Sequence, residues 1–444
     1  MITKSATVGF KIAEVQQQII KLEHQNAVLT REDKQKLQQL KRKLQNLCQT
    51  YDADARRLSF QQTLKVEREK MIHYLSCDYL EQFMLDVFKG IGVPEQDAQI
   101  CADVLITADK RGIDSHGIGR LKPIYYDRIV KQKIQQPVTQ IEVVRERLAT
   151  AVIDGHHGMG MVISTYCMNL AIEKAKKYGL GMVVARNSTH YGIAGYYTLM
   201  ACQQNMIGLT GTNARPSTAP TFGVENLLGT NPLVFGMPTD EDFPFTNDYA
   251  TSIVQRGKIE QYAREGKECP PGLVIDRQGY TITDPQKILQ ALVQGEAALV
   301  PIGGIKEETG GHKGYGYATV VEILSAALQQ GAFLKQLSGF DPEGNRVPYQ
   351  LGHFFMAIDI SAFTEIETFK KITGDILRAL RNSQKVPGAE HIYTCGQKEH
   401  LAWLKRKDTG IPINEVLQQD ILAMGHELGL RQYQFEFEKG EEDG

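Results

Sequence analysis

Three parts of this sequence concentrate side chains that can move protons or hold anions. The first is DSHGIGR, residues 114–120, where a hydroxyl (Ser115), an imidazole (His116) and a guanidinium (Arg120) stand close together beside two glycines. Glycines let the backbone approach a ligand, Arg120 can grip a carboxylate through two parallel hydrogen bonds, and His116 can exchange a proton. A Ser-His pair also occurs in plain helix-capping turns, and the residues alone admit both readings. The second is RNSTHYGIAGYY, residues 186–197, directly after the apolar pattern of residues 181–184. His190 there falls at the end of a predicted strand, where α/β sheets present ligand-binding loops; a surface histidine without a role is the competing reading. The third is a spread of polar clusters punctuated by Gly or Pro: TNARP (212–216), GTNP (229–232), DYATS (248–252) and GGHKGYG (310–316). Each alone is an ordinary turn, but together they suggest one extended ligand cradled by backbone N–H groups, with Lys313 placed to meet a diphosphate.

Several common chemistries are missing. No G-x-G-x-x-G follows a predicted strand, and GHHGMG (155–160) has the wrong spacing, so a Rossmann domain is not supported. The sequence has no G-x-x-x-x-G-K-[ST], no H-E-x-x-H and no G-x-S-x-G, which removes the usual NTPase, zinc-protease and serine-hydrolase readings. Seven cysteines, odd in number and without a C-x-x-C pair, argue against a disulfide framework and a thiolate metal site, and no metal is expected. A formal net charge of -2 offers no field for nucleic acid or anionic lipid, so a small molecule is the expected partner. Without an apolar leader at the N-terminus or a long uncharged apolar run, the sequence predicts a soluble, cytoplasmic protein with no membrane partner.

Residues 1–68 differ in texture from the rest, being rich in Gln, Lys, Glu and Leu with almost no glycine. Ile12, Val15, Ile19, Leu22 and Leu29, then Leu37, Leu40, Leu44 and Leu47, keep a three-four spacing in two frames, which predicts an α-helical hairpin with Thr30 capping its second arm. Its stripe either joins copies of the chain or packs on the chain's own body. From residue 69 the pattern is that of an enzyme: helices near 79–88 and 95–108, then short apolar strands near 151–153, 181–184, 207–210 and 233–235 alternating with helical stretches, an α/β pattern. A helix over 318–329, a strand over 354–360 and helices over 366–382, with Leu377 and Leu380 inward, and 416–428 complete the reading.

Taken in order, DSHGIGR, GHHGMG, NSTHYG, GTNP, DYATS and GGHKGYG resemble the type-2 malate/L-lactate dehydrogenase family over about residues 70–430. Ureidoglycolate dehydrogenase, sulfolactate dehydrogenase and a cyclic imino-acid reductase are relatives of that family. The resemblance implies an α/β, non-Rossmann, nicotinamide-cofactor-binding fold, here with the N-terminal helical hairpin as an extension. It implies domains of 1–68, 69–150 plus 331–444 (substrate and dimerisation) and 151–330 (cofactor). It further implies hydride transfer between NAD, or NADP, and a small (S)-2-hydroxy acid or its 2-keto acid, with malate foremost. By motif, His190 is the implied acid/base, Arg120 the carboxylate grip, and His116 a group that orients or shares the proton. Asn213, Ala214, Asp248, Tyr249, Ala250 and Lys313 are the implied cofactor contacts, and Arg186 and Arg215 are cations free for a second carboxylate. A homodimer is implied, with larger assembly through the hairpin; a catalytically idle interaction protein is the contrasting class.

All six motifs lie downstream of residue 110, so deleting residues 1–68 is expected to leave steady-state turnover intact while dissociating any assembly larger than a dimer, read by light scattering. A folded but inactive product would contradict this separation.

Overall fold

Short continuous apolar runs, buried on both faces, build the centre of the molecule. The computed structural model describes residues 72–438, residues 34–46, and positions 15, 18 and 19. The chain divides into two compact units, Met1–Ile72 and His73–Gly444. In the first, residues 34–46 are helical; the other arm and the turn of the expected hairpin lie mostly outside the described residues.

In the second unit the strands are β1 (His73–Leu75), β2 (Glu142–Glu146), β3 (Thr150–Asp154), β4 (Leu180–Ser188), β5 (Met206–Thr212), β6 (Leu233–Met237), β7 (Phe245–Asn247), β8 (Val274–Asp276), β9 (Ala297–Leu299), β10 (Leu351–Asp359) and β11 (Ile411–Ile413). Seven of them form one mixed sheet in the order β2-β3-β4-β10-β5-β6-β7. Within it β3 and β4 run parallel, and the other neighbours are antiparallel. The late strand β10 lies at its centre, with Phe354 opposite Val184 of β4 and Gly211 of β5. Val183 and Ala185 of β4 and Phe355 and Ala357 of β10 bury one face under the helices Gly160–Tyr178 and Gly195–Gln203. Val184 and Phe354, one residue along, face the other way onto Val321 of the helix Gly311–Ala326, as strand pleating requires.

A helical layer flanks the sheet. The helices Cys77–Gly90, Glu95–Lys110 and Glu415–Leu428 share a core with Tyr125 and Tyr126 of Leu121–Lys131, a π-helix closed by Gln132 N–H donating to Asp127 O at 2.7 Å. Segments with this wider turn recur at functional sites. A small lobe pairs β8 with β9 and packs the helices Arg256–Arg264 and Pro285–Gln294 around Ile259, Val274 and Ile288.

Two expectations change. GGHKGYG is not a loop: Gly311 opens a helix that the sequence placed from residue 318. Glycines discourage helices, but a Cβ at Gly311 would lie 1.9 Å from Gly304 O and one at Gly314 2.1 Å from Ile302 O, so close packing on the preceding turn overrides propensity. On the helix Ile366–Arg381, Leu377 is buried as expected, whereas Leu380 is exposed.

The glycines of GHHGMG serve the strand that follows. Gly160 N–H donates to Thr189 Oγ1 at 2.9 Å, Thr189 Oγ1 donates to Gly158 O at 2.8 Å, and a Cβ on Gly160 would fall 2.2 Å from Thr189 O and 2.6 Å from His190 O. Gly160→Ala is therefore expected to push the His190 loop aside, costing about 1–3 kcal/mol of stability and most of the activity. A thermal melt and kinetics read both; parent-like values for the two would mean that the backbone yields without consequence.

Candidate active site

Every residue of the NSTHYG motif has an assigned neighbour once β4 ends. Asn187, at φ 49°, donates through Nδ2 to both Asp154 oxygens at 2.9 and 3.0 Å. Ser188 and Thr189 are buried, the first against His353 and the second against the GHHGMG turn. Gly192 takes φ 78°, and a Cβ there would sit 2.4 Å from Val104 Cγ1. The chain thus turns sharply and leaves the His190 ring facing a cleft of about 140 Å³.

That cleft is lined by His116 and Ser115 from the first motif, His190 to Ala194 from the second, and Asn213, Ala214, Thr230, Pro232, Asp248, Tyr249 and Ala250 from the third. The structure therefore brings together seven of the nine residues singled out from sequence. Arg120 stands behind the cleft wall with its Nε donating to Ser115 O, which leaves its terminal nitrogens without a protein partner among the described residues. Lys313 is exposed in the first turn of the helix Gly311–Ala326 and does not line the cleft.

The two imidazoles stack, with ring centroids 5.7 Å apart and planes 16° from parallel. His116 Nδ1 lies 2.8 Å from Ser115 Oγ. His190 Nδ1 lies 2.7 Å from the hydroxyl of Tyr125, on the π-helix, and receives Gly192 N–H at 3.3 Å. His190 Nε2 is the nitrogen left for a ligand. Burial, then the charges of His116, Arg128 and Arg120, hold the His190 imidazole well below its ordinary titration range, while burial and Arg120 push His116 down to about 4. Burial raises the Tyr125 phenol, so it stays a proton donor. The same hydroxyl is 3.4 Å from His190 O, a second acceptor to which it can turn when Nδ1 carries a proton.

Asp248 anchors the far side. Gly195 N–H, at the start of a helix, donates to its Oδ2 at 2.8 Å, and burial raises its carboxyl to about 6 against the opposing pull of that bond and of Arg111. Asn213 is fully buried and its amide is committed: Nδ2 donates to Ala332 O at 3.1 Å and Oδ1 accepts Gly352 N–H at 2.8 Å. Any ligand contact at Asn213 is thus left to its backbone and to neighbouring Ala214. Arg186, expected to be free, is not: its Nε donates to Asp154 Oδ2 at 2.8 Å and a terminal nitrogen to Gln329 O at 3.2 Å. Arg215 is exposed and has no ion pair among the described residues.

Sequence reasoning missed three functional neighbours: Tyr125, Asp109 and His353. Asp109, buried at the end of the helix Glu95–Lys110, accepts Ile118 N–H at 2.7 Å, and a Cβ on Gly117 would lie 1.8 Å from its Oδ1, which explains that glycine. His353 is fully buried on β10, with Nδ1 2.7 Å from Thr212 Oγ1 and Nε2 2.7 Å from Ser188 Oγ. Thr212 donates its own hydroxyl proton to Asn213 O or Gly352 O, so Nδ1–H of His353 donates to Thr212 and Ser188 donates to Nε2. Burial pushes this ring down to about 3, and it lies flat on Tyr191 at 4.6 Å and 3°. A neutral ring of fixed tautomer thereby braces the residue next to His190.

Paired imidazoles at a cleft, one held by a phenol that can either donate or accept, beside an arginine with free terminal nitrogens, have the chemistry to exchange a proton with a small anionic acid. The comparisons with known proteins agree with that class. The family model described as malate/L-lactate dehydrogenase matches residues 75–422. The malate dehydrogenase of Pyrococcus horikoshii is 42% identical over 80% of this chain and 95% of its own length. The L-sulfolactate dehydrogenase of Methanocaldococcus jannaschii is 39% identical over 79% and 96%. A solved structure of malate dehydrogenase from Entamoeba histolytica superposes with a TM-score of 0.78 at 43% identity, over 81% of this chain and 98% of that one. This chain belongs to the malate/L-lactate dehydrogenase family, and it is a dehydrogenase of hydroxy acids served by a nicotinamide cofactor.

Because burial and cationic neighbours oppose protonation, both His116 and His190 in the free enzyme are expected to remain neutral when the pH falls through about 6, below the ordinary imidazole range. Side-chain NMR of labelled histidine reads this directly, and a His190 ring titrating near 6.5 would contradict it. His353→Ala is expected to lower kcat about 10- to 100-fold with NADH affinity little changed, because it unbraces Tyr191 rather than the cofactor cleft. A parent-like kcat would show that His353 is only core packing.

Proposed function

We propose that the enzyme interconverts an (S)-2-hydroxy acid and its 2-keto acid, with malate as the first substrate to test, NAD as the cofactor and NADP as the alternative. The observation that carries this reading is the His190 imidazole, held through Nδ1 by Tyr125 and leaving Nε2 toward the cleft beside Arg120. Names of the relatives support malate first and sulfolactate second. Lactate, ureidoglycolate and a cyclic imino acid remain the further alternatives within the family.

The residues fit a nicotinamide cofactor. Backbone at Asn213 and Ala214 and the stretch from Asp248 to Ala250 form one side of the cleft, the exposed Tyr249 ring offers an apolar face, and Asn231 carries a buried, unpartnered Oδ1 below Thr230. The bound cofactor would supply the hydride acceptor or donor. Asn213, Ala214, Asp248, Tyr249 and Ala250 would hold it, with Lys313 reaching its phosphates from outside the cleft.

The chain's own part is proton management and orientation. In oxidation His190 presents a lone pair at Nε2, with the proton on Nδ1 donated to the Tyr125 oxygen, the Tyr125 proton turned to His190 O, and Gly192 N–H, which otherwise donates to Nδ1, left to the Tyr125 oxygen. Nε2 then removes the substrate hydroxyl proton, and in reduction the imidazolium returns it to the keto oxygen. Arg120 fixes the carboxylate through its terminal nitrogens, and His116, bonded to Ser115, orients the reacting oxygen. An anionic ligand offsets the positive charge that holds His190 down, so acid loading and binding are linked.

On the same reading, residues 151–330 carry the cofactor side and residues 69–150 with 331–444 the substrate side. The exceptions are β2 and β10, which cross that division to complete the sheet. A cytoplasmic homodimer, extended by residues 1–68 into larger assemblies, accompanies this proposal.

Absorbance assays of NAD and NADP reduction across malate, sulfolactate, lactate and ureidoglycolate test the reading, which fails if none is turned over. His190→Ala is expected to lower kcat by about 100- to 10,000-fold with NADH binding little changed, and near-parent turnover would refute the acid/base role. Arg120→Lys keeps charge but loses the planar fork, so substrate KM should rise severalfold. Binding of the keto acid to the NADH complex near pH 7 should take up protons, measured by calorimetry in buffers of differing ionisation enthalpy, because the anion raises a depressed His190 pKa. Zero uptake would show that the ligand leaves His190 unperturbed.

A further inference from the structure

One cation near the site is left over by the mechanism. Arg128 lies on the same π-helix as Tyr125, three residues beyond it, and its guanidinium stacks 4.4 Å from the centroid of the Tyr349 ring. Among the described residues it makes no side-chain hydrogen bond and pairs with no carboxylate, although the side chain is partly buried. Its charged neighbours are also cations. Burial first, then repulsion from Arg215 and Arg346, lowers its pKa, with Tyr349 and Tyr125 opposing. Arg346 is stacked on Phe340 at 5.1 Å and lies 3.5 Å from Gln132 Oε1, while Arg215 has no ion pair. A half-buried guanidinium beside like charges, with no acid supplied by the protein, is electrostatically incomplete.

The position is as informative as the missing partner. Ala214 and Leu351 line the cleft, and chain continuity puts Arg215 directly after the one and Tyr349 two residues before the other. Arg128 does not itself line the cleft, but it stacks on Tyr349 behind that wall and is near enough to His190 to oppose its protonation. Arg120 precedes Arg128 in the same continuous helical run, closing the turn Ile118–Arg120 with its Nε donating to Ser115 O. Two arginines with free terminal nitrogens, on successive turns of one helical run, thus both act electrostatically on the imidazole, whereas a monocarboxylate needs only one. Stacking on Tyr349 fixes the plane of the Arg128 fork, which suits a flat or tetrahedral oxyanion and lowers the entropy lost on binding it.

We propose that Arg128, with Arg215 beside it, seats the distal anionic group of a dianionic 2-hydroxy acid, a carboxylate or a sulfonate, while Arg120 holds the carboxylate next to the reacting carbon. This rests on the 2-hydroxy-acid reading above and makes Arg128 the residue that prefers dianions to lactate-like monoanions. It replaces Arg186, whose guanidinium is committed to Asp154.

The test is Arg128→Met, which keeps an apolar stem for Tyr349 and removes the charge, with melting temperature and NADH fluorescence titration as controls for folding. For turnover, kcat/KM for malate and for sulfolactate should each fall about 100-fold, while that for lactate stays within a few-fold. A fall for sulfolactate but not malate, or the reverse, assigns the seat to a sulfonate or a carboxylate. Parallel loss for malate and lactate, or no loss for either dianion, overturns the proposal. Calorimetry of malate and lactate binding to the NADH-loaded enzyme gives a second readout that does not need turnover. The parent should bind malate at least tenfold more tightly than lactate, and Arg128→Met should abolish that preference. If the parent turns over no 2-hydroxy acid, the reaction reading falls by itself. Loss of the dianion preference on substitution would still support the seat, and its persistence would overturn it.

Discussion

The hydrogen bond between the Tyr125 hydroxyl and His190 Nδ1, 2.7 Å long, joins the helical layer to the end of a sheet strand, and most of the site is organised to keep it. One partner comes from a π-helix whose wider turn sets the direction of Tyr125. The other comes from a loop that can close only because Gly192 takes a left-handed conformation and Gly160 has no side chain to meet Thr189 O. The result is an imidazole with one nitrogen spoken for and the other directed at the cleft.

Around that bond the protein manages charge by exclusion. His116, His190 and His353 are all held neutral, first by burial, and two of them also by nearby guanidinium groups. The site in its free form is thus a basic pocket that has shed its own protons, and an acid entering it supplies the negative charge the fold withholds. Of the acids nearby, Asp109 is raised by burial to about 8 and so is largely protonated near pH 7, whereas Asp248, raised to about 6, keeps most of its charge there. Each is engaged by a backbone N–H and so also clamps the chain.

The legible part of this architecture was what local pattern encodes. Strand β4 follows from a short apolar run and the helix Gly195–Gln203 from the helical stretch after it, and His190 was visible because a polar run separates them. Residues that act by reaching across the fold were not visible. His353 sits inside an apolar strand pattern, where a histidine reads as core, and its partners Ser188 and Thr212 are more than a hundred residues away in sequence. Tyr125 belongs to a segment whose wider helical turn has no clear periodicity signal. Asn213 was rightly placed at the cleft, but its amide proved to be an internal strut, a distinction that only the positions of Ala332 and Gly352 reveal. GGHKGYG misled because glycine spacing signals loops, whereas here the missing Cβ atoms of Gly311 and Gly314 make room for the carbonyls of Gly304 and Ile302.

The placement of β10 bears on how this molecule comes into being. The strand that separates β4 from β5 is made from residues 351–359, so the sheet cannot zip outward in chain order. During synthesis β4 and β5 would emerge with their inner edges bare, and the His190 loop would lack its brace until some 150 further residues had been added. Such long-range closure implies slow folding, and it makes the interval between the birth of the His190 loop and the arrival of the central strand the period when the nascent chain most needs protection from pairing with the wrong edge.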